Sequence, residues 1–198
     1  PKLILTLANV PPAETSAVSA TAPAPVVSDY GAIEHRRIGR MQARYLIERG
    51  HSTLGFVRPT EPTIRRYATE RLTGVRDECK SAGLSRPVVK DVDDRLETYT
   101  AAATSLMREG VSGVCAHNDD VALMLLAALE QAGFSAPGDL AVIGSDDVPL
   151  AQRELTTIAL DVDSYATTII GRVLAHLGSE EQRPDAGDML RLVIRTSA

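Results

Sequence analysis

Two adjacent carboxylates, Asp146 and Asp147, directly follow a short apolar run at residues 140–144. An ionised carboxylate only accepts hydrogen bonds, and its two oxygens can accept from neighbouring hydroxyl groups of one ligand. The apolar run is typical of a buried strand, so the pair is expected at the carboxyl end of that strand. The two residues therefore indicate a site for a polar, hydrogen-bond-donating ligand. The alternative is a turn capped by acidic side chains.

A second polar cluster follows another apolar run in the same way. Residues 111–116 have the pattern of a buried strand, and Asn118, Asp119 and Asp120 come almost immediately after it. Asn118 is expected to cap a helix with its side-chain oxygen, while its amide group stays able to donate to a ligand. The two aspartates are more simply explained by the positive end of that helix than by ligand binding.

The two clusters belong to one predicted β-α-β unit. Its helix ends before Gly133 and has an apolar stripe at i, i+3, i+4 spacing. The stripe consists of Val121, Met124, Leu125, Ala128, Leu129 and Ala132. A right-handed crossover makes the two strands parallel, so both clusters leave the sheet at the same carboxyl edge. Ligands of open α/β sheets bind along that edge.

The rest of the chain alternates strands with helices, which predicts an α/β fold on a parallel sheet. Further strands are predicted at residues 2–7, 25–27, 54–57, 88–89, 155–160 and 189–196. Further helices are predicted at residues 13–20, 36–49, 64–82, 98–109 and 164–177, the last capped by Ser164 and stopped by Gly178. Residues 28–34 are predicted to be a loop.

Composition narrows the class of protein. The 198 residues carry a net charge of −5, which argues against a nucleic-acid-binding surface over most of the chain. Cys79 and Cys115 give no disulfide framework and are expected to be reduced, buried thiols. No apolar run is long enough to span a membrane. The sequence has no G-x-G-x-x-G, no P-loop lysine and no nucleophile elbow, so an enzyme is not expected and no cofactor is implied.

Five short segments share one known pattern. They are GRMQARYLIERGH at residues 39–51, ERLTG at 70–74, HNDDVA at 117–122, VIGSDD at 142–147 and LTTI at 155–158. In this order and spacing they resemble the helix-plus-GH, R-x-x-G, N-D-x-x-A, V-x-G-[FY]-D-[DN] and L-T-T-I signatures of the lactose-repressor (LacI/GalR) family of transcription regulators. The resemblance extends over about residues 26–196.

The resemblance implies an α/β fold of the periplasmic-binding-protein-like type I, with parallel sheets flanked by helices and two subdomains. Residues 29–155 and 189–198 would form the C-terminal subdomain, which binds the effector and dimerises. Residues 1–27 and 156–180 would form part of the N-terminal subdomain, which would be incomplete. Its first β-α units and the DNA-reading headpiece are both expected to be absent from this chain.

The resemblance also assigns ligand-binding roles. The first aspartate of the V-x-G-[FY]-D-[DN] motif hydrogen-bonds the effector in the family, which favours Asp146 over Asp147. Ser145 stands where an aromatic residue is usual, so a stacking wall is not expected there. Asn118 is a further candidate effector contact, because its amide could donate to the effector while its oxygen caps the helix.

Arg71 occupies the position of the family's effector-contacting arginine, three residues before Gly74. Its planar guanidinium could hold a ring oxygen, a carboxylate or a pair of hydroxyls. The alternative is a surface arginine that pairs with Glu70 or Asp77. Tyr67, one turn earlier on the same helix, is expected to face the same way and to offer its hydroxyl. A metal site built from His117 with Asp119, Asp120, Asp146 and Asp147 is conceivable, but their spacing does not require one.

These expectations combine into one function. The chain is expected to be the effector-sensing domain of a cytoplasmic regulator, binding a sugar or nucleoside between its subdomains and controlling DNA binding allosterically. Operator DNA would be contacted only through the missing headpiece. The alternative is a periplasmic sugar-binding component of a transporter. Leu123 and Leu126 lie off the core-facing stripe of their helix, which predicts a homodimer interface there.

Overall fold

The structure, a computed structural model, describes residues 27–176 and 189–198. The helices are α1 Val27–Glu48, α2 Pro62–Ser81, α3 Leu96–Arg108, α4 Asp119–Gln131 and α5 Val162–His176, with a 3₁₀ turn at Ala151–Arg153. The strands are β1 Leu54–Pro59, β2 Val88–Val92, β3 Gly113–Ala116, β4 Ala141–Ser145, β5 Thr156–Leu160 and β6 Leu190–Val193. The strand predicted at residues 2–7, the helix at 13–20 and the stop at Gly178 lie outside the described residues.

All six strands form one sheet in the order β2-β1-β3-β4-β5-β6. Every pair is parallel except β5 with β6, which is antiparallel. The β-α-β unit predicted from residues 111–147 is confirmed, because β3 and β4 pair in parallel with Gly113 opposite Ala141. The mixed α/β fold with a mostly parallel sheet and flanking helices is likewise confirmed.

Helices cover both faces of the sheet and bury two apolar cores. Side chains alternate along each strand, so β3 sends Val114 to one face and Cys115 to the other. The first core packs α3 and α4 against the sheet, and the second packs α1 and α2 against it. Both cysteines are buried free thiols in the second core, as predicted.

Helices α1 and α2 cross at very close range, and two glycines make this possible. A methyl group added at Gly39 would collide with the backbone carbonyl of Arg71, and one added at Gly74 would collide with that of Arg36. The two helices therefore touch backbone to backbone, which only glycine permits. Gly39 of the GRMQARYLIERGH segment and Gly74 of the R-x-x-G motif thus permit the close packing of α1 on α2, the helix that carries Arg71.

Four local predictions are wrong. Residues 28–34 are helical rather than a loop, and Val27, predicted to end a strand at residues 25–27, instead begins α1. Helix α5 begins at Val162, so Ser164 is not its cap, and Asp161 instead accepts hydrogen bonds from the backbone and hydroxyl of Ser164. On α4 the buried face includes Ala122, whereas Met124 is half-buried and Ala132 is exposed.

The division into subdomains stays a prediction. Strand β5, which the resemblance assigns to an N-terminal subdomain, pairs with β4 in the same sheet, with Gly144 opposite Thr157.

Among residues 27–176 and 189–198, no helix has both the length and the apolar character needed to cross a bilayer.

Candidate functional site

Arg71 is the centre of a polar cluster at the carboxyl edge of the sheet. Its residue is only 5% exposed, although it lies on a helix with a mostly polar outer face. Nη2 donates to Oδ1 of Asp146 over 3.2 Å, and Nη1 donates to the backbone carbonyl of His117. Burial lowers the pKa of Arg71, and the negative charge of Asp146 opposes that shift. The prediction that Arg71 and Asp146 lie together is confirmed, and the surface pairing with Glu70 or Asp77 is not observed.

His35 closes the third side of the Arg71 guanidinium. Nε of Arg71 donates to Nδ1 of His35 over 3.1 Å, which requires a neutral imidazole with its proton on Nε2. Burial, together with the charge of Arg71, lowers the pKa of His35 to about 4, so the ring is neutral at physiological pH. Tyr67 joins the cluster through His35, with the two ring centroids 4.7 Å apart.

Asp146 keeps one oxygen free for a ligand. Its Oδ1 accepts from Arg71 and, over 3.0 Å, from the hydroxyl of Ser145. Its Oδ2 takes part in no hydrogen bond within the described part of the chain, and its side chain is 41% exposed. The backbone has φ 116°, a left-handed conformation that is uncommon for a residue with a side chain. The carboxylate thus contacts Arg71 through Oδ1 from a turn with an uncommon backbone conformation.

Asn118 caps α4, as predicted. Its Oδ1 accepts from the backbone amide of Val121 over 3.0 Å. The side-chain amide of Asn118 has no hydrogen-bond partner in the described residues, so its two donors are open. The carbonyl of His117 accepts a hydrogen bond from Arg71, and Asn118 is the next residue in the chain.

Two buried polar atoms at the ends of β3 and β4 are unsatisfied. Nε2 of Gln42 donates over 2.9 Å to the carbonyls of Ala116 and Gly144, but its Oε1 has no partner within the described residues. Nδ1 of His117 has none either, and burial with the nearby charge of Arg71 lowers the pKa of His117 to about 3. Buried polar atoms are rarely left unpaired, so these two are exceptions to the pattern of the rest of the core.

Asp119 lies in the first turn of α4, but it is buried and its carboxylate accepts hydrogen bonds from two other segments. Its residue is fully buried, with Oδ1 accepting from Thr157 over 2.6 Å and Oδ2 accepting from the amide of Val148 over 2.9 Å. A side chain at Gly144 would strike this carboxylate. Burial raises the pKa of Asp119. The expectation for Asp120, which is exposed in the first turn of α4, agrees with the structure.

Asp147 is committed to a structural contact. Its Oδ1 accepts from Nη2 of Arg195 over 2.7 Å, and both side chains are largely buried. The structure therefore agrees with the sequence in separating the roles of the two aspartates, with Asp147 turned away from Arg71.

The metal site that the sequence leaves conceivable is not formed within the described residues. No group of histidine, cysteine and carboxylate side chains there could hold a metal ion. A shallow hollow of about 570 Å³ lies elsewhere, lined by residues of α3 and by Gln131, and none of the predicted site residues contributes to it. The polar cluster around Arg71 remains the better candidate for a ligand site, because His35, His117 and Asp146 all contact the same guanidinium.

Sequence reasoning missed four members of the site: His35, Gln42, His117 as a neutral neighbour of Arg71, and Arg195. His117 alone had a usable signal, since it directly precedes Asn118 at the end of a strand. His35 and Gln42 come from α1, and only the packing of α1 on α2 and the sheet brings His35 to Arg71 and Gln42 to the ends of β3 and β4. Arg195 comes from the end of the chain after an antiparallel strand that no motif marks.

Comparison with known proteins agrees with this geometry. A family model described as "Periplasmic binding protein-like domain" matches residues 43–198. An "Uncharacterized HTH-type transcriptional regulator in aml 5'region" of Streptomyces limosus is 30% identical over 173 residues, covering 83% of this chain and 49% of that protein. The ribose operon repressor of Escherichia coli K12 is 34% identical over 147 residues, covering 70% of this chain and 43% of that protein.

Solved structures give the same answer for the fold. A sugar-binding transcriptional regulator of the LacI family from Escherichia coli, complexed with phosphate, superposes with a TM-score of 0.69 at 25% identity. The match covers 83% of this chain and 61% of that one. This chain thus spans less than half the length of the two sequence relatives. The chain belongs to the family of periplasmic binding protein-like domains, in the form found in transcription regulators of the LacI/GalR type.

Proposed function

We propose that this chain is the effector-sensing domain of a cytoplasmic, DNA-binding transcription regulator, and that it binds a small neutral polyol such as a sugar. The observation that carries the proposal is the buried Arg71–Asp146 contact at the carboxyl edge of the sheet. Ligands of open α/β sheets bind at that edge. Regulators similar to this chain supply the expected output, which is control of DNA binding.

The open hydrogen-bonding groups suit hydroxyl groups. Oδ2 of Asp146 can only accept, the amide of Asn118 can donate, and the hydroxyl of Tyr67 can do both. None of these three groups has a hydrogen bond to another described residue. A sugar hydroxyl is both donor and acceptor, so neighbouring hydroxyls could bridge Asp146 and Asn118.

The charge balance favours a neutral ligand over an anion. Arg71 already has a carboxylate at 3.2 Å, and its remaining nitrogens donate to His117 and His35. Both histidines are neutral, since burial lowers the pKa of each. An anionic ligand would meet a compensated arginine and the free oxygen of Asp146, and the latter would repel it.

The mechanism we propose is a shift of population between conformations of the whole regulator. A ligand that contacts Asp146 and Arg71 from one side and a second subdomain from the other would favour one closure angle. That angle would set the spacing of two DNA-reading heads in a dimer. The ligand can shift this equilibrium only by the difference between its affinities for the two states.

Substitution of Asp146 by alanine tests the ligand site. Asp146→Ala is expected to weaken sugar binding by about 1.5–3 kcal/mol, the scale of a hydrogen bond to a charged group. Calorimetric titration of the chain with a panel of pentoses, hexoses and nucleosides measures it. Asp91→Ala is the matched control, because Asp91 is 42% exposed and also pairs with an arginine. Equal affinity of the Asp146 variant and the native chain for whichever ligand binds would remove Asp146 from the site.

Dimerisation through α4 is the second part of the proposal. Leu123 and Leu126 are half-buried and pack partly against their own core, while the neighbouring Ala127 is exposed. The apolar face left open is thus narrower than the sequence predicts, but it extends along one side of the helix. A two-fold contact would bring this face against its symmetry mate.

Leu123→Glu is expected to shift the protein from dimer to monomer without unfolding it, because a carboxylate cannot be buried between two copies. Sedimentation equilibrium at tens of micromolar, with circular dichroism on the same samples, measures both effects. Ala127→Glu on the exposed side of α4 provides a second variant that disturbs the core less. A native chain that is monomeric at this concentration would contradict the interface and favour the transporter-component alternative.

A further inference from the structure

One guanidinium connects both ends of the segment that follows Asp146. Arg195 donates from Nη2 to Oδ1 of Asp147 over 2.7 Å and from Nη1 to the carbonyl of Leu155 over 2.8 Å. These acceptors lie at the beginning and the end of the connection from β4 to β5. The guanidinium therefore closes that connection into a loop, in which Asp147 is the residue directly after Asp146.

The backbone that Arg195 closes is strained. Asp147 has φ 57° and Asp146 has φ 116°, so two consecutive residues with side chains occupy the left-handed region. Such conformations persist only where surrounding contacts enforce them. The backbone amide of Asp146 donates one hydrogen bond, to the carbonyl of Ile158 over 2.9 Å. Two side-chain contacts hold the turn beyond Asp146: Asp119 accepts from the amide of Val148 over 2.9 Å, and Asp147 accepts from Arg195.

Arg195 is itself firmly placed. Its backbone amide donates to the hydroxyl of Thr156 over 3.0 Å, and its side chain is 16% exposed. Two residues later the hydroxyl of Ser197 donates to the carbonyl of Val142 over 2.7 Å. The end of the chain is thus fastened to the starts of β4 and β5, and it offers a rigid base from which the guanidinium can hold the turn.

We infer that Arg195 is a positioning residue for effector binding, which acts through Asp147 to hold Asp146 in the conformation that presents its free oxygen to the ligand. The inference rests on the proposed function, in which Asp146 contacts the ligand. Arg195 does not touch that ligand. An arginine is needed because its planar fork reaches two acceptors at once, which a lysine ammonium cannot do in the same geometry.

Hydrogen exchange of backbone amides tests the positioning without any ligand. In Arg195→Ala the amides of Asp146 and Val148 are expected to exchange at least about tenfold faster, because the turn opens more often. The amide of Val114 in the centre of the sheet should exchange at its native rate. Asp147→Asn is the second variant, since asparagine tolerates a left-handed φ but lacks the charge. It should reproduce the same local change, and the double variant should add nothing to it.

Arg58→Ala is the matched control for that experiment. Arg58 is 15% exposed and pairs with Asp91 over 2.6 Å, which closely resembles the Arg195–Asp147 pair in burial and geometry. It should leave the exchange of Asp146 and Val148 unchanged. Native exchange rates at both amides in Arg195→Ala, or faster exchange throughout the sheet together with a lowered melting temperature, would overturn the inference in favour of a purely structural arginine.

A double-mutant comparison with D-ribose as the probe tests the link to binding. Arg195→Ala alone should weaken binding about tenfold, but in an Asp146→Ala background it should cost nothing further, because the residue through which it acts is gone. Arg195→Lys should recover part of the loss. Additive losses would overturn action through Asp146. If the native chain does not bind D-ribose, the exchange experiment alone decides the inference, and that failure counts against the proposed ligand rather than against the positioning role of Arg195.

Discussion

Helix α2 carries arginine–carboxylate contacts on two faces, and the two differ in what surrounds them. On the inner face Arg71 is 6% exposed at the side chain and meets Asp146 over 3.2 Å. On the outer face Asp77 accepts from Arg36 and Arg40 of α1 over 2.6 and 3.0 Å, and those arginines are 47% and 48% exposed. The outer contacts are shorter, yet the inner one is more consequential, because the guanidinium of Arg71 is withdrawn from water, whereas both outer arginines are about half exposed and are screened by it.

The pKa directions reflect this difference. Hydrogen bonding to Arg36 and Arg40 lowers the pKa of Asp77, which is the ordinary result of an exposed ion pair. For Arg71 burial is the larger influence and lowers its pKa, despite the attraction of Asp146. The inner guanidinium is thus held at a cost in solvation, and the surrounding backbone carbonyl and neutral histidine offset it. A buried charge with a shifted pKa beside a specific charged partner marks a candidate functional site.

The largest expected effect comes from breaking the helix crossing that supports both faces. Gly74→Ala places a methyl group against the backbone of Arg36, so α1 must move away from α2. Destabilisation of about 3 kcal/mol or more is expected from such overpacking, together with loss of ligand binding as Arg71 is displaced. Urea denaturation measures it, with Lys80→Ala on the exposed face of α2 as a control. A fully stable Gly74 variant would show that the crossing can relax.

Removal of one arginine from each face compares them directly. Arg71→Met is expected to destabilise the fold by about 2–3 kcal/mol, because the carbonyl of His117 and one oxygen of Asp146 lose a charged donor. It should also abolish measurable sugar binding. Arg40→Met removes an exposed arginine of α1 and should leave both the melting temperature and the affinity near native values. Equal effects of the two substitutions would mean that burial does not distinguish the two faces.

The smallest effect is the response to pH. The unfolded chain takes up protons at His35 and His117 near pH 6.5, whereas the folded chain, with pKa values of about 4 and 3, does not until lower pH. Unfolding therefore consumes protons in this window, and stability falls as the pH is lowered from 7 to 5. His117 should contribute roughly 1–2 kcal/mol of that loss.

Thermal unfolding at pH 7 and pH 5 measures the response, and His117→Phe should flatten part of it. The interval from pH 7 to pH 5 lies above the range in which Asp77 of the outer face titrates, because its pKa is lowered. The outer contacts should therefore not contribute to the response. A melting temperature that is the same at both pH values in the native chain would show that the two histidines are more accessible to water than their burial implies.

The β-α-β unit and the polar residues at its carboxyl edge follow from local sequence. The apolar runs at 111–116 and 140–144, the cap at Asn118 and the stop at Gly133 are each explained by a few neighbouring residues, and β3, α4 and β4 are found there. The motif around Arg71 likewise marks a side chain that proves to lie against Asp146. Local signals suffice here because strand ends in a parallel sheet share one edge.

Other features could not be read from neighbours in the sequence. Residues 28–34 lack a clear helical stripe, yet they continue α1, and Ser164 has the type of a cap but lies inside α5. Asp119 has the type of a dipole partner, but the fold buries it between Val148 and Thr157. In each case the residue type is compatible with several structural roles, and contacts with distant parts of the chain determine which role it takes.

The sequence by itself determined the alternation of strands and helices, the parallel β3–β4 pair and the polar groups at its edge. It also determined the glycines that permit α1 to cross α2, although not that they meet. Only the tertiary structure decided that His35 shields Arg71 and that Arg195 holds Asp147, because those partners are separated by 36 and 48 residues. Hydrophobic periodicity records which face of an element is buried, but it does not record which distant polar atom will satisfy a charge once it is there.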